Sequence, residues 1–193
     1  MGSTTDLIGS FVIGGLVIVI ILSLNYNLSN TTFQRSQDLI SQQASVELLN
    51  ILENDLYKAG YRTTATPVLL AESLSVAFLA DLDDNGTIDS VRYTVGDTTF
   101  FLTTTNPHDR PLYRRLNAGS QQNVASGLTE FYFAYRDTAG RVIPYDSLKY
   151  VRHRSVVRLI TFAFVIEPSD PLDSTFIPVT VEKVIHPKNI GGW

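Results

Sequence analysis

The amino-acid sequence predicts an α+β fold in which one long N-terminal helix packs on an antiparallel β-sheet domain. An uncharged apolar run covers 7–24, and an apolar stripe with helical spacing follows it without a proline. The remaining chain consists of short β-branched and aromatic segments separated by turn residues. With 193 residues, of which 44% are hydrophobic, the chain is long enough to bury a core.

The run "LIGSFVIGGLVIVIILSL" at 7–24 is long enough to cross a bilayer. As a helix it would rise about 27 Å, close to the ~30 Å thickness of the hydrocarbon core. A cleaved signal peptide would have a basic segment before a shorter run and a small-residue cleavage site after it, whereas the flanks here are "MGSTTD" and "LNYNLSN". We therefore expect a membrane anchor, formed by the first half of the helix over 1–32.

The second half of the predicted helix, over 33–60, is amphipathic. Its apolar residues recur at steps of three and four: Ile40, Ala44, Leu48, Ile51 or Leu52, Leu56 and Ala59. This spacing places them on one stripe of a helix. Lys58 in the last turn, and Gly60 at a position that favours left-handed backbone, indicate where the helix ends. One continuous helix from about Thr4 to Ala59 is expected, with its second half lying against the domain that follows.

Residues 61–193 are expected to form one antiparallel sheet. Seven segments are predicted as strands: 73–80, 87–95, 98–105, 112–116, 128–135, 155–166 and 176–185. Clusters of Asn, Asp, Gly and Pro separate these segments. No helix is predicted between the strands, so a meander would bury its apolar face on the amphipathic half-helix.

Charge and residue types argue against several classes of function. The net charge of −4 disfavours a nucleic-acid partner, which usually requires a basic surface. Cysteine is absent, which excludes disulfides, thiol catalysis and thiolate metal sites. His108 and His186 have no second ligand at metal spacing, and no nucleophile or phosphate-loop motif is found. We expect a protein that is not an enzyme and has no cofactor, with calcium as the one candidate.

The calcium candidate is the segment "DLDDNGTID" at 81–89. Its oxygen-bearing residues Asp81, Asp83, Asn85 and Asp89 have the spacing of the first half of an EF-hand loop, with Gly86 at the sixth place. The twelfth place holds Arg92 rather than glutamate, and a strand is predicted to follow. The alternative, which we prefer, is a type I′ hairpin turn at Asn85-Gly86 with solvated acids around it.

Three longer stretches carry a family resemblance. "LENDLYKAGYR" (52–62) looks like a helix-ending signature, and "DLDDNGTIDSVRYTV" (81–95) looks like an acidic hairpin leading into a tyrosine-bearing strand. "PLYRRLNAGSQQNVASGLTEFYFAYRDTAGRVI" (111–143) adds an arginine-bearing strand, an aromatic strand and a turn. In this order the stretches resemble the type IV filament superfamily of pilins and pseudopilins, with most similarity to PilW-type minor pilins and J-type pseudopilins. The chain departs from the family at "MGSTTDLIG", where the processed start of a glycine followed by Phe-Thr-Leu and a glutamate at the fifth place is absent and only Gly2 and Asp6 are offered.

The resemblance implies a structural subunit of a type IV pilus or pseudopilus-type extracellular filament that assembles through its apolar helix. Its partners would be copies of itself or other pilins, the bacterial inner membrane before assembly, and an assembly platform with its ATPase. The filament would be extracellular or periplasmic. Asp6 would correspond to the family's acid that pairs with a neighbouring subunit's terminal amine and fixes axial register. Alternatively, Asp6 lies at the membrane surface and stabilises the helix N-terminus.

The rival function is a single-span, membrane-anchored binding or adhesion module, with calcium as its candidate ligand. Such a module would usually have a flexible linker after the span. The segment "NYNLSNTTFQRSQ" at 25–37 contains neither Gly nor Pro, which favours the filament subunit.

Overall fold

The computed structural model describes residues 2–100, 104, 106–168 and 176–190. It confirms the predicted fold class, with a long apolar N-terminal helix followed by antiparallel β-sheets. Helix α1 spans Gly2–Lys58, so its 57 residues extend over about 86 Å. It continues without a break through 25–36. Gly60 then takes a φ of +84°, the left-handed conformation expected after the helix, which glycine adopts without steric cost. A side chain at this position would also clash with the Asn189 carbonyl.

The strands form two antiparallel sheets rather than the single sheet that was predicted. The first sheet contains, in spatial order, β1 (Val68–Ala71), β2 (Ser75–Ala80), β3 (Asp89–Val95), β4 (Leu112–Leu116) and β5 (Gln121–Asn123). The second contains β6 (Leu128–Arg136), β7 (Leu159–Ile166) and β8 (Val179–Ile185). The sheets are joined where the Phe133 amide donates to the Ser73 carbonyl at 2.8 Å and the Tyr135 hydroxyl donates to the Glu72 carbonyl at 3.0 Å.

The expectation that no helix lies between strands was wrong. Two one-turn helices, α2 (Tyr145–Leu148) and α3 (Val151–Arg154), separate β6 from β7. Pro144 precedes α2 with a φ of −61°, which is suited to starting a helix. The segment predicted as a strand over 155–166 therefore begins only at Leu159.

The predicted strand over 98–105 is also wrong where the structure describes it. Thr98–Phe100 form a turn of 3-10 helix, while 101–103 and 105 lie outside the described residues. The Asp97 carboxylate accepts hydrogen bonds from the Thr98 hydroxyl and the Thr99 amide at 3.2 and 3.4 Å. This local bonding competes with strand formation.

The core lies where the second half of α1 meets the sheets, and α1 contacts β7 and β8 directly. Leu48, Leu52 and Leu56 are fully buried in one cluster with side chains from both sheets. Ile40, predicted to lie on the buried stripe, is instead 55% exposed, whereas Ser41 is only 3% exposed. The buried stripe thus starts one residue later than predicted, because it begins with small serines that a search for apolar residues does not select.

Candidate functional site

The first half of α1 presents an apolar surface that no other part of the described chain covers. Between Leu7 and Leu28 its exposed side chains include Phe11, Ile13, Leu16, Val19 and Leu22. None of the residues in the most apolar window of this helix is buried. By length and composition the helix could cross a membrane, and a signal sequence near the N-terminus has the same properties.

Asp6 lies in the first turns of α1 and is exposed. Its backbone carbonyl accepts a hydrogen bond from the Ser10 hydroxyl at 2.8 Å. The first basic side chain that follows it in the helix is Arg35, about 44 Å further along the axis. A charge partner for Asp6 from the rest of this helix is therefore out of reach.

A buried cluster of polar side chains joins the second half of α1 to the first sheet. Asp55 is 5% exposed, and its Oδ2 accepts hydrogen bonds from the Tyr93 hydroxyl at 2.6 Å and from Arg114 Nε at 2.7 Å. Tyr93 and Arg114 are directly opposed in β3 and β4, so both reach the face that the helix covers. Burial, together with the Asp55 charge, raises the pKa of Tyr93 well above its usual range, which keeps this hydroxyl a donor.

A second ion pair joins the helix to the other sheet. Lys183 Nζ in β8 lies 3.2 Å from the Glu53 carboxylate, and both side chains are partly exposed. Helix α1 is thus attached to the first sheet through Asp55 and to the second through Glu53. Neither residue belongs to a motif that the sequence pattern indicates. The one local signal for Asp55 is an acid that lies between the apolar positions Leu52 and Leu56.

The acidic segment does not form the type I′ hairpin that was preferred. Residues 81–88 connect β2 to β3 as a wider loop, and the left-handed residues are Asp84 and Gly86 rather than Asn85 and Gly86. The physical reason is the buried Asp81 carboxylate. Its Oδ1 accepts from the Asn85 amide at 3.1 Å, and its Oδ2 accepts from the Gly86 amide at 2.9 Å, so the loop folds around it.

Arg62, which follows the end of α1, binds two acids of this loop. Its Nη1 lies 3.0 Å from Asp81 Oδ2 and 2.8 Å from Asp84 Oδ1. Burial alone would raise the pKa of Asp81, but the hydrogen bonds from Arg62 and the two loop amides outweigh this, and the pKa is lowered. Asp81 is therefore an ionised carboxylate that is already satisfied by protein donors.

The other candidate calcium ligands are also engaged by protein donors. Asp83 Oδ2 accepts from the Asn85 side-chain amide at 2.8 Å, and Asp89 Oδ1 accepts from Asn117 Nδ2 at 2.7 Å. The structure therefore brings Asp81, Asp83 and Asn85 into one loop and turns Asp89 toward β4. Across the described ranges, no three His, Asp or Glu side chains are placed to hold a metal ion. The calcium site stays a prediction.

Comparison with known proteins adds no family to this description. No protein-family model matches the chain, and no curated protein sequence matches it. Two features of the structure bear on function. The apolar first half of α1 is exposed, and the second half is fixed to two sheets.

Proposed function

We propose that this chain is a structural subunit of an extracellular filament of the type IV pilus or pseudopilus kind, assembling through the apolar half of α1. Residues 7–28 expose apolar side chains over about 33 Å of helix. Such a surface is unfavourable in water and requires either lipid or other apolar helices around it. A helix that resides in a membrane and then enters a bundle of identical helices meets this requirement at both stages.

The observation that carries the proposal is the continuity of α1 from its apolar half into the core. The helix runs without a break from Gly2 to Lys58, and its second half is fixed by buried leucines and by ion pairs to both sheets. A regular filament requires each domain to sit at a fixed position relative to its core helix. A dispersed binding module needs only a tether, and a flexible linker would serve it better.

The second half of the helix also has apolar residues that its own domain does not cover. Leu39, Ile40 and Val46 are each more than half exposed. A simple membrane anchor needs only about 20 apolar residues, so apolar side chains this far along the helix are not required for anchoring. Packing against the helices of neighbouring subunits would cover them.

The partners and location follow from the proposed assembly. The chain would reside in the bacterial inner membrane before assembly and would need a platform and an ATPase to extract it. It would then join copies of itself, or other pilins, in a filament outside that membrane. The sequence resemblance to PilW-type and J-type proteins supports this assignment. The absence of a flexible segment after the span weighs against the rival binding module.

Single-cysteine cross-linking tests this function directly, since the chain contains no cysteine. Val12→Cys and Leu16→Cys lie on one face of the apolar half, and Thr138→Cys, at an exposed turn, is the matched control. In cells that carry the assembly machinery, oxidation should give disulfide-linked dimers from the helix variants and few from Thr138→Cys, and electron microscopy should show filaments. A chain that stays monomeric under oxidation and forms no filaments would support the membrane-anchored module instead.

A further inference from the structure

The outer face of the first sheet carries a row of side chains that crosses all five strands. The row consists of the register partners Leu70, Ala77, Arg92, Arg115 and Gln121. Their neighbours in sequence, Tyr93 and Arg114, point to the opposite face and into the core, so the row faces away from α1.

Two like charges are directly opposed in this row. Arg92 in β3 and Arg115 in β4 are cross-strand partners, an arrangement that costs stability when nothing lies between the charges. Among the described residues, neither guanidinium has a hydrogen-bond or ion-pair partner, and Arg115 Nε is buried without an acceptor. The nearby Asp89 carboxylate is occupied by Asn117 and the Leu82 amide. The two arginines are thus opposed in the sheet register, and no anionic partner for them is found in the described part of the chain.

The two arginines line an open pocket of about 350 Å³. Its other lining residues are Leu69, Leu70 and Ala77 on the side of β1 and β2, and Ser90 and Asn117 on the side of β3 and β4. Asn117 has a φ of 51°, which is uncommon for a non-glycine residue, and its Oδ1 accepts from the Ser90 amide at 2.8 Å. The pocket therefore has an apolar side and a polar, cationic side.

We propose that this pocket binds a small organic anion, with its phosphate or carboxylate group on Arg92 and Arg115 and its apolar part on Leu69, Leu70 and Ala77. The forked donors of two guanidinium groups suit an oxyanion, because each can donate two parallel hydrogen bonds to it. Binding would supply an acceptor to the terminal nitrogens of the two guanidinium groups and would neutralise the opposed charges. The volume lies at the small end of the range for small-molecule sites.

The test measures binding to the full-length chain in detergent by calorimetry and by thermal unfolding. Phenyl phosphate is the probe, with inorganic phosphate and phenol as analogues that each keep one half of it. We expect phenyl phosphate to bind most tightly and to raise the Tm at millimolar concentration. Both Arg92→Gln and Arg115→Gln should weaken binding at least tenfold, and Arg115→Lys should weaken it less. Arg152→Gln, an exposed arginine elsewhere, should change nothing.

Two further readouts separate a specific site from general charge effects. The Nε–H resonance of Arg115 should shift on titration with phenyl phosphate, whereas that of Arg152 should not. Without any ligand, Arg92→Gln should have a Tm equal to or above that of the unaltered chain, because it removes the repulsion. Equal affinity of all variants for phenyl phosphate, or a shift at Arg152 equal to that at Arg115, would overturn the proposal.

Discussion

Asp55 is the residue of α1 that binds two side chains of the first sheet, Tyr93 and Arg114. It is a carboxylate inside an otherwise apolar stripe, and it is satisfied by one neutral donor and one charged donor. A buried carboxylate in this position destabilises the fold if either donor is removed, since the charge then has too few partners. The cluster therefore specifies one register of helix on sheet, which apolar packing alone would enforce less strictly.

Arg114→Gln should lower the free energy of unfolding by about 3–5 kcal/mol, the range for breaking a buried ion pair. Tyr93→Phe should cost less, about 1–2 kcal/mol, because it removes one hydrogen bond and keeps the packed ring. Urea denaturation of the full chain in detergent measures both values. Lys149→Gln is the control, since its ion pair with Asp146 is exposed and should contribute nothing measurable. Equal effects of Arg114→Gln and Lys149→Gln would contradict the assigned role of the cluster.

Asp109 is a second buried carboxylate, but it has no such partners. It is 1% exposed, and neither of its oxygens has a hydrogen-bond partner within the described part of the chain. Burial is the main cause that raises its pKa, and the negative charge of the Glu167 carboxylate adds to the rise. The folded state therefore binds more protons than the unfolded state between the ordinary value of 3.8 and the raised pKa. Stability consequently falls as the pH rises through this window.

Asp109→Asn should raise the Tm at pH 7 by about 2–4 °C, which corresponds to ~1 kcal/mol for a chain of this size. The gain should shrink as the pH is lowered toward the ordinary value of 3.8 and vanish well below it, where the carboxyl is protonated in both states. Asp97→Asn is the matched control. Hydrogen bonds from Thr99 and Thr98 lower the pKa of Asp97, so its replacement should give no gain at pH 7. A gain for Asp109→Asn that stays constant from pH 4 to pH 7 would show that charge is not the cause.

At the scale of elements, helix α1 has two faces with different roles in its second half. Leu52 is fully buried against the sheets, whereas Leu39 is exposed and lies outside the buried stripe. The same substitution at the two positions therefore separates folding from assembly.

Leu52→Ala should destabilise the fold by about 2–5 kcal/mol, as expected for a large-to-small change in a core. Leu39→Ala should leave the unfolding transition within about 0.5 kcal/mol, as expected of a surface change, and should reduce filament yield. Chemical denaturation and electron microscopy of the same preparations test both. Normal filaments from Leu39→Ala would remove this face from the proposed assembly surface.

The elements that sequence patterns predicted well are those with long, consistent signals. The helix has more than fifty residues without proline, and the aromatic strand β6 alternates over nine residues, so both were found nearly to their ends. The short polar strand β5, Gln121–Asn123, has no apolar pattern and is defined only by its pairing with β4. Its existence depends on the neighbouring strand, which local sequence does not reveal.

The candidate sites were harder to predict because they depend on which face a side chain occupies. Arg114 and Arg115 are adjacent in sequence, yet one lies in the core beside Asp55 and the other on the outer face beside Arg92. The loop at 81–88 is wider than predicted because the buried Asp81 side chain accepts hydrogen bonds from two loop amides. Without those bonds, the Asn-Gly dipeptide would favour a two-residue hairpin turn. Neither outcome follows from spacing alone.

At the scale of the whole molecule, replacing Asp6 tests whether the proposed filament needs an ion pair among its core helices. An ionised carboxylate packed among apolar helices requires a cation or strong donors. Arg35 is too far along the same helix to supply one. In the proposed filament the partner would then be a terminal amine, supplied by a neighbouring subunit.

Asp6→Ala should reduce filament yield strongly while leaving thermal unfolding of the sheet domain unchanged, since the two lie tens of ångströms apart along α1. Glu130→Ala, an exposed acid in β6, is the control and should assemble normally. Counting filaments by electron microscopy beside thermal unfolding of the full chain gives both readouts. Normal filaments from Asp6→Ala would leave Asp6 as an ordinary surface acid at the start of the helix.

The contacts between α1 and the strands β7 and β8 also set an order of events during synthesis. The helix leaves the ribosome first, but β7 begins only at Leu159, so at about 5–20 residues per second the buried leucines wait roughly 5–20 s for their partners. Ribosome-arrested chains that end before Leu159 should accordingly be cut by protease within 33–60, where the finished chain resists. The apolar half has no such delay. The apolar half could therefore enter the membrane while the amphipathic half still lacks β7 and β8. Insertion in the membrane would then precede the folding of the domain and help to orient it.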